Sequence, residues 1–114
     1  MARNQPGASF ESPVTYTGLV NRETLAAGKT LVIGDASWQR LDPGGAGRTV
    51  VLPAEEGANG VWYKIINAAD AAEDLTINND AAGTIGTVSQ NECAWFTCDG
   101  TSWTLEFIAT GAIA

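Results

Sequence analysis

A chain of 114 residues, 45% of them hydrophobic, holds one domain and can bury a core without metal or disulfide. Its net charge is −7, and all 6 basic residues lie in the first 64 positions, so the remainder carries acids alone. Such a surface repels phosphate, which excludes nucleic acid as the expected partner. No run of about eighteen apolar residues is present, which excludes a helical membrane span.

The first residues, Met1 to Gly7, lack the apolar stretch of a secretory signal, so synthesis is expected in a cytoplasm. Pro6, Gly7 and Pro13 then punctuate a segment without regular alternation, in which Phe10, Val14, Tyr16, Leu19 and Val20 sit among Ser and Thr. Proline disfavours helix at itself and at the preceding residue. Residues 1–22 therefore read as an extended arm that docks on something or as a frayed terminus, with the β domain at 23–114. A single helical turn is expected at Asn21–Gly28, with Asn21 as N-cap and Gly28 ending it.

Everything after Gly28 reads as strands: 30–33, 38–41, 48–52, 61–66, 75–78, 84–88, 93–98 and 101–108. Turn clusters separate them, including Asp42-Pro43-Gly44-Gly45 and Asn78-Asn79-Asp80. Short strands at this spacing predict an all-β fold, a single compact antiparallel sandwich or barrel of about eight strands behind the arm.

Asp99-Gly100 predicts a two-residue hairpin turn, because both central residues of that turn need positive φ. The register then pairs Phe96 with Trp103 and Ala94 with Leu105. One face carries Ala94, Phe96, Cys98, Trp103, Leu105 and Phe107, and is the core face. Val50, Leu52, Ile65, Leu75 and Ile77 join it. Trp95 falls on the polar face, to be covered by a loop or exposed for a partner. Cys93 and Cys98 point to opposite faces, roughly 16 Å apart in extended chain. A disulfide needs less than about 7 Å, so both are free thiols.

Chemistry is the missing part. There is no histidine, which removes the commonest general base, the usual triads and most catalytic metal sites. No phosphate-binding glycine loop is present. The Asp-rich stretches lack the ligand spacing of an EF-hand, although an ion at Asn78, Asn79 or Asp80 stays open. The expectation is a protein with no catalytic residues, no metal site and no cofactor.

The run Leu41-Asp42-Pro43-Gly44-Gly45-Ala46-Gly47-Arg48-Thr49-Val50-Val51-Leu52-Pro53 resembles a segment recurrent in structural proteins of tailed bacteriophages. Ile65 to Ile77 and the ending Cys98-Asp99-Gly100-Thr101-Ser102-Trp103 are similar to the same proteins. The resemblance spans about residues 30–107 and implies a virion protein, most like a decoration protein on the outer capsid surface. It further implies the major capsid protein as partner and a homotrimer, made in the bacterial cytoplasm. Phe10, Val14, Tyr16, Leu19 and Val20 are then the expected capsid anchors. Val51, Trp62, Ile66 and Trp95 are the expected subunit contacts, on the second face of their strands. The alternative implied by the same resemblance is a tail-fibre or tail-spike module that binds a receptor or carbohydrate, with Trp38, Trp62 or Trp95 as sugar platform.

Overall fold

The computed structural model describes residues 20–113, and Phe10, Val14, Tyr16 and Leu19 of the expected arm lie outside them. Nine strands follow in chain order: β1 Val20–Thr24, β2 Lys29–Thr30, β3 Trp38–Asp42, β4 Arg48–Val51, β5 Trp62–Asn67, β6 Leu75–Asn78, β7 Thr84–Val88, β8 Glu92–Cys98 and β9 Trp103–Thr110. One 3₁₀ turn, Glu55–Gly57, is the sole helical element among the described residues.

The strands form two mixed sheets, and neither closes into a barrel. Sheet A has the order β1-β3-β5-β8-β9 and sheet B the order β2-β4-β6-β7. Up to β6 the chain alternates between them, giving one strand to each sheet per turn. Neighbours within a sheet are therefore successive turns of the same winding, and they run parallel: β1 with β3, β3 with β5, β2 with β4, and β4 with β6. Parallel neighbours need a long crossover, and here the strand in the opposite sheet supplies it in place of a helix. The last three strands are antiparallel: β7 folds back on β6, β8 on β5 and β9 on β8. The expected wholly antiparallel arrangement is thus corrected. Antiparallel pairing is confined to the C-terminal side of each sheet.

The expected helical turn at Asn21–Gly28 is also corrected. Val20–Thr24 instead pairs residue for residue with Trp38–Asp42, and Asn21 Nδ2 donates to Gln39 Oε1 at 2.9 Å. One isolated helical turn fixes several dihedrals for a single hydrogen bond, whereas the ladder engages the whole segment. The expected domain boundary at residue 22 falls inside β1. The 30–33 strand is likewise shorter than expected: β2 ends at Thr30, and Val32 and Ile33 are exposed in a loop.

The space between the sheets holds Leu25, Leu31, Leu41, Val50, Leu52, Tyr63, Ile65, Leu75, Ile77, Val88, Ala94, Phe96 and Trp103, all buried. Val50, Leu52, Ile65, Leu75, Ile77, Phe96 and Trp103 sit where alternation predicts. Gly86 is the small residue that makes room. A Cβ there would stand 2.9 Å from Leu105 Cδ2, so glycine lets Leu105 lie across the core. Gly44, at φ +75°, allows the Asp42–Gly45 turn to pass so close to Leu25 that a Cβ would run into its carbonyl oxygen.

The last hairpin departs from its expected form in two ways. Its loop has four residues, Asp99–Ser102, with only Gly100 at positive φ. Asp99 Oδ1 accepts from the amides of Thr101 and Ser102, each at 2.9 Å, and this Asx geometry replaces the two-residue turn. Cys98 therefore pairs with Trp103 and Phe96 with Leu105. The shift is by two residues, so both keep their face. A bulge then places Phe107 opposite Trp95, and one extra residue reverses the alternation. Phe107, expected in the core, is 54% exposed on the outer face.

Cys93 and Cys98 are free thiols, Cys98 buried and Cys93 half-buried on the opposite face. Tyr63 is buried, and its hydroxyl donates to the Val32 carbonyl at 3.0 Å. Burial, aided by the Asp35 charge, pushes its phenol up to about 12 from an ordinary 10.0. A raised phenol keeps its contribution below the unfolded value and loses it on the way up to the folded one. Stability is therefore expected to fall between pH 10.0 and about 12. Tyr63→Phe should flatten that alkaline limb in denaturant melts, at a cost near neutrality of roughly 1 kcal/mol for the lost bond.

Candidate functional site

The outer face of sheet A is unlike the rest of the surface. In a sheet, cross-strand partners share a face and stand side by side. One such row crosses all five strands: Val20, Trp38, Lys64, Trp95 and Phe107. The next row along the strands is Arg22, Arg40, Ile66, Cys93 and Ala109. On the other side of the first row lie Trp62, Thr97 and Thr104.

Aromatic rings on this face are in contact across the strands. Trp95 lies 5.3 Å from Trp62 and 5.6 Å from Phe107, centroid to centroid. Lys64 Nζ sits 4.1 Å from the centre of the Trp38 ring and 5.4 Å from that of Trp95, a cation held over two π faces. Trp38 is 40% exposed. Trp95 is half-buried, its ring set against Trp62 and Phe107 on its own face. The result is a flat patch with aromatic side chains at its centre and polar groups at its margin, as at protein interfaces.

Charge is sorted to the same side. Of the basic residues described, Lys29 pairs with Glu23 at 2.9 Å, and Arg48 Nε donates to the Pro43 carbonyl at 2.8 Å. Arg22, Arg40 and Lys64 have no ion-pair partner among the described residues, and all three stand on the outer face of sheet A. The outer face of sheet B carries Thr30, Val51, Asn78 and Thr84 in one row and Thr49, Thr76 and Thr87 in another. It is a threonine-rich surface with no aromatic residue in these rows.

The residues singled out from sequence fall as follows. Trp62, Ile66 and Trp95 share the sheet A face, and Trp38 joins them. Val51 does not, because it belongs to the outer face of sheet B. Val20 heads the aromatic row and is half-buried in β1. Alternation puts Lys64 with Trp62 and Ile66, and Arg40 with Trp38, but the sequence pattern sets Arg22 in a helical turn and Phe107 in the core, so neither is expected in the patch.

Asn79 Oδ1 accepts from the amides of Ala81 and Gly83, at 3.1 and 2.7 Å, so this side chain is engaged in closing its own turn. A carboxylate cluster appears elsewhere: Asp42, Asp70 and Glu73 bring oxygens within 4.8 Å of one another, and Glu73 Oε1 is buried without a hydrogen-bond partner. Glu73 lies in the loop pinned by the buried Asn67, whose Nδ2 donates to the Glu73 and Val88 carbonyls, both at 2.8 Å. Asn67 has no signal in the pattern of the sequence; of the cluster, Asp70 and Glu73 lie in one of the Asp-rich stretches, and only the fold brings Asp42 to them. Comparison of the chain with protein-family models, with curated proteins and with solved structures gives no match.

Proposed function

We propose that this is a binding protein of the virion, a decoration protein that sits on the outer surface of a bacteriophage capsid and docks through the outer face of sheet A. The virion assignment is supported by the sequence resemblance over residues 30–107. The docking face is supported by the row Trp38, Lys64, Trp95 and Phe107, which leaves large aromatic area open on one side of the molecule. Exposed apolar patches of this kind mark interaction sites, and tryptophan is the residue most enriched at binding hot spots. A partner that binds only the assembled shell stabilises it by its own binding free energy, which is how decoration works without catalysis. Three copies around a symmetry axis would add avidity, and residues 1–19 would supply a further anchor.

Cosedimentation with undecorated shells tests the docking face. Trp38 and Phe107 are exposed, so the double variant Trp38→Ser, Phe107→Ser should melt close to the parent, within about 1 kcal/mol. It is expected to lose shell binding by roughly a hundredfold, the scale of removing two hot-spot aromatics. A folded double variant that decorates shells as well as the parent would eliminate this face as the docking surface.

A further inference from the structure

We propose that the paired arginines of sheet A, Arg22 on the edge strand β1 and Arg40 beside it on β3, bind an acidic, extended segment of the partner polypeptide that adds alongside β1. The proposal deepens the docking reading of the same face and rests on it.

Arg22 and Arg40 are direct cross-strand partners, so their Cα atoms stand about 4.8 Å apart on one face. Like charges directly opposite each other destabilise a sheet, and no ion pair closes on either guanidinium among the described residues. Glu23 and Asp42 line the same open depression of about 340 Å³. The Glu23 carboxylate is taken by Lys29, and Asp42 Oδ1 accepts from the Gly44 amide at 2.9 Å. Neither carboxylate forms an ion pair with either guanidinium. Two guanidiniums side by side form a fork suited to a carboxylate, which they can hold with short, charge-assisted hydrogen bonds.

The edge itself decides between kinds of anion. β1 pairs with β3 on one side and has no strand on the other among the described residues. A peptide can satisfy the free main-chain groups there while its alternate side chains enter the rows of the outer face. A polysaccharide or polynucleotide cannot continue the ladder. Two arginines beside Asp42 are also too few for a densely charged polyphosphate. The rows then specify the segment. An apolar or aromatic side chain belongs beside Val20, in the row of Trp38, and a carboxylate two positions along belongs beside Arg22, in the row of Arg40.

The probe is a capped heptapeptide of alternating threonine and apolar residues with one central glutamate, titrated into the full chain and followed by tryptophan fluorescence. Binding is expected to weaken roughly tenfold when the glutamate is replaced by glutamine, and as much in Arg22→Gln or Arg40→Gln protein. It should also weaken as salt rises. Amides of β1 that exchange freely should become protected by the peptide. Equal binding of the two peptides would overturn the proposal. So would β1 amides already protected before peptide is added, because another segment of the chain would then occupy the edge. Polygalacturonate competing with the peptide at equal carboxylate concentration would replace the peptide by a polysaccharide as the ligand. No shells enter this assay, so its failure leaves the cosedimentation result on the aromatic row to stand or fall separately.

Discussion

Trp103→Ala is expected to destabilise the protein by about 4 kcal/mol, within the range for removing a buried aromatic side chain. Trp103 opens β9 from a site that is 5% exposed. Its ring stacks on Tyr63 with centroids 5.8 Å apart, and its Nε1 donates to the Pro53 carbonyl at 2.9 Å. Truncation leaves both a cavity between the sheets and an orphaned carbonyl in a buried segment. A single domain of this size has roughly 5–15 kcal/mol in total, so the variant should be largely unfolded at modest urea. Trp103→Phe separates the two terms, keeping the stack and losing the bond, and should cost about 1–2 kcal/mol. Urea melts by circular dichroism measure both, and an unchanged midpoint for the alanine variant would contradict the packing described.

A comparable loss is expected at Asn67, a residue without hydrophobic payload. It ends β5 with no exposed surface. Its amide donates to the Glu73 and Val88 carbonyls, and its Oδ1 accepts from the Ala69 amide at 2.9 Å. One side chain thus ties the β5–β6 loop to the end of β7. Asn67→Leu fits the volume and leaves three main-chain groups unpaired. At about 1–3 kcal/mol for each orphan, with partial relief by water, the cost is about 3–5 kcal/mol. Asn67→Asp should be pH-dependent in a definite sense. The protonated acid can still donate to one carbonyl, whereas the buried carboxylate faces two, so burial raises its pKa in the folded state. Its stability is then greatest in acid and is lost as pH rises. Melts of this variant that improve toward neutral pH would refute the bonding assigned to Asn67.

Much of the strand map was legible in the residues. Leu75–Asn78 and Thr84–Val88 stand as read, because turn signals bound them on both sides. Period-two alternation also put Val50, Ile65, Ile77, Phe96 and Trp103 inward and separated Cys93 from Cys98. Alternation fails where the chain gains a residue, and the bulge in β9 moved Phe107 from the expected core to the surface. A one-residue slip exchanges the two faces of a strand, and nothing local in Leu105-Glu106-Phe107 announces it. Asn21–Gly28 misled for the opposite reason. Its local capping pattern is real, but pairing with β3 outweighs one turn of helix.

By itself, then, the sequence determined the all-β class, the positions of the strands from β3 onward, most of the core and the free thiols, because each follows from side chains within one short segment. Tertiary structure decided which strands are neighbours, and with that the parallel winding between two sheets. Short runs separated by turns are compatible with a hairpin stack or with a winding. The choice falls to the total apolar area that each buries, which is a property of the whole chain. The candidate site follows from that choice. Val20, Trp38, Lys64, Trp95 and Phe107 come from five strands spread over most of the described chain, and they become one row only because β1, β3, β5, β8 and β9 lie side by side.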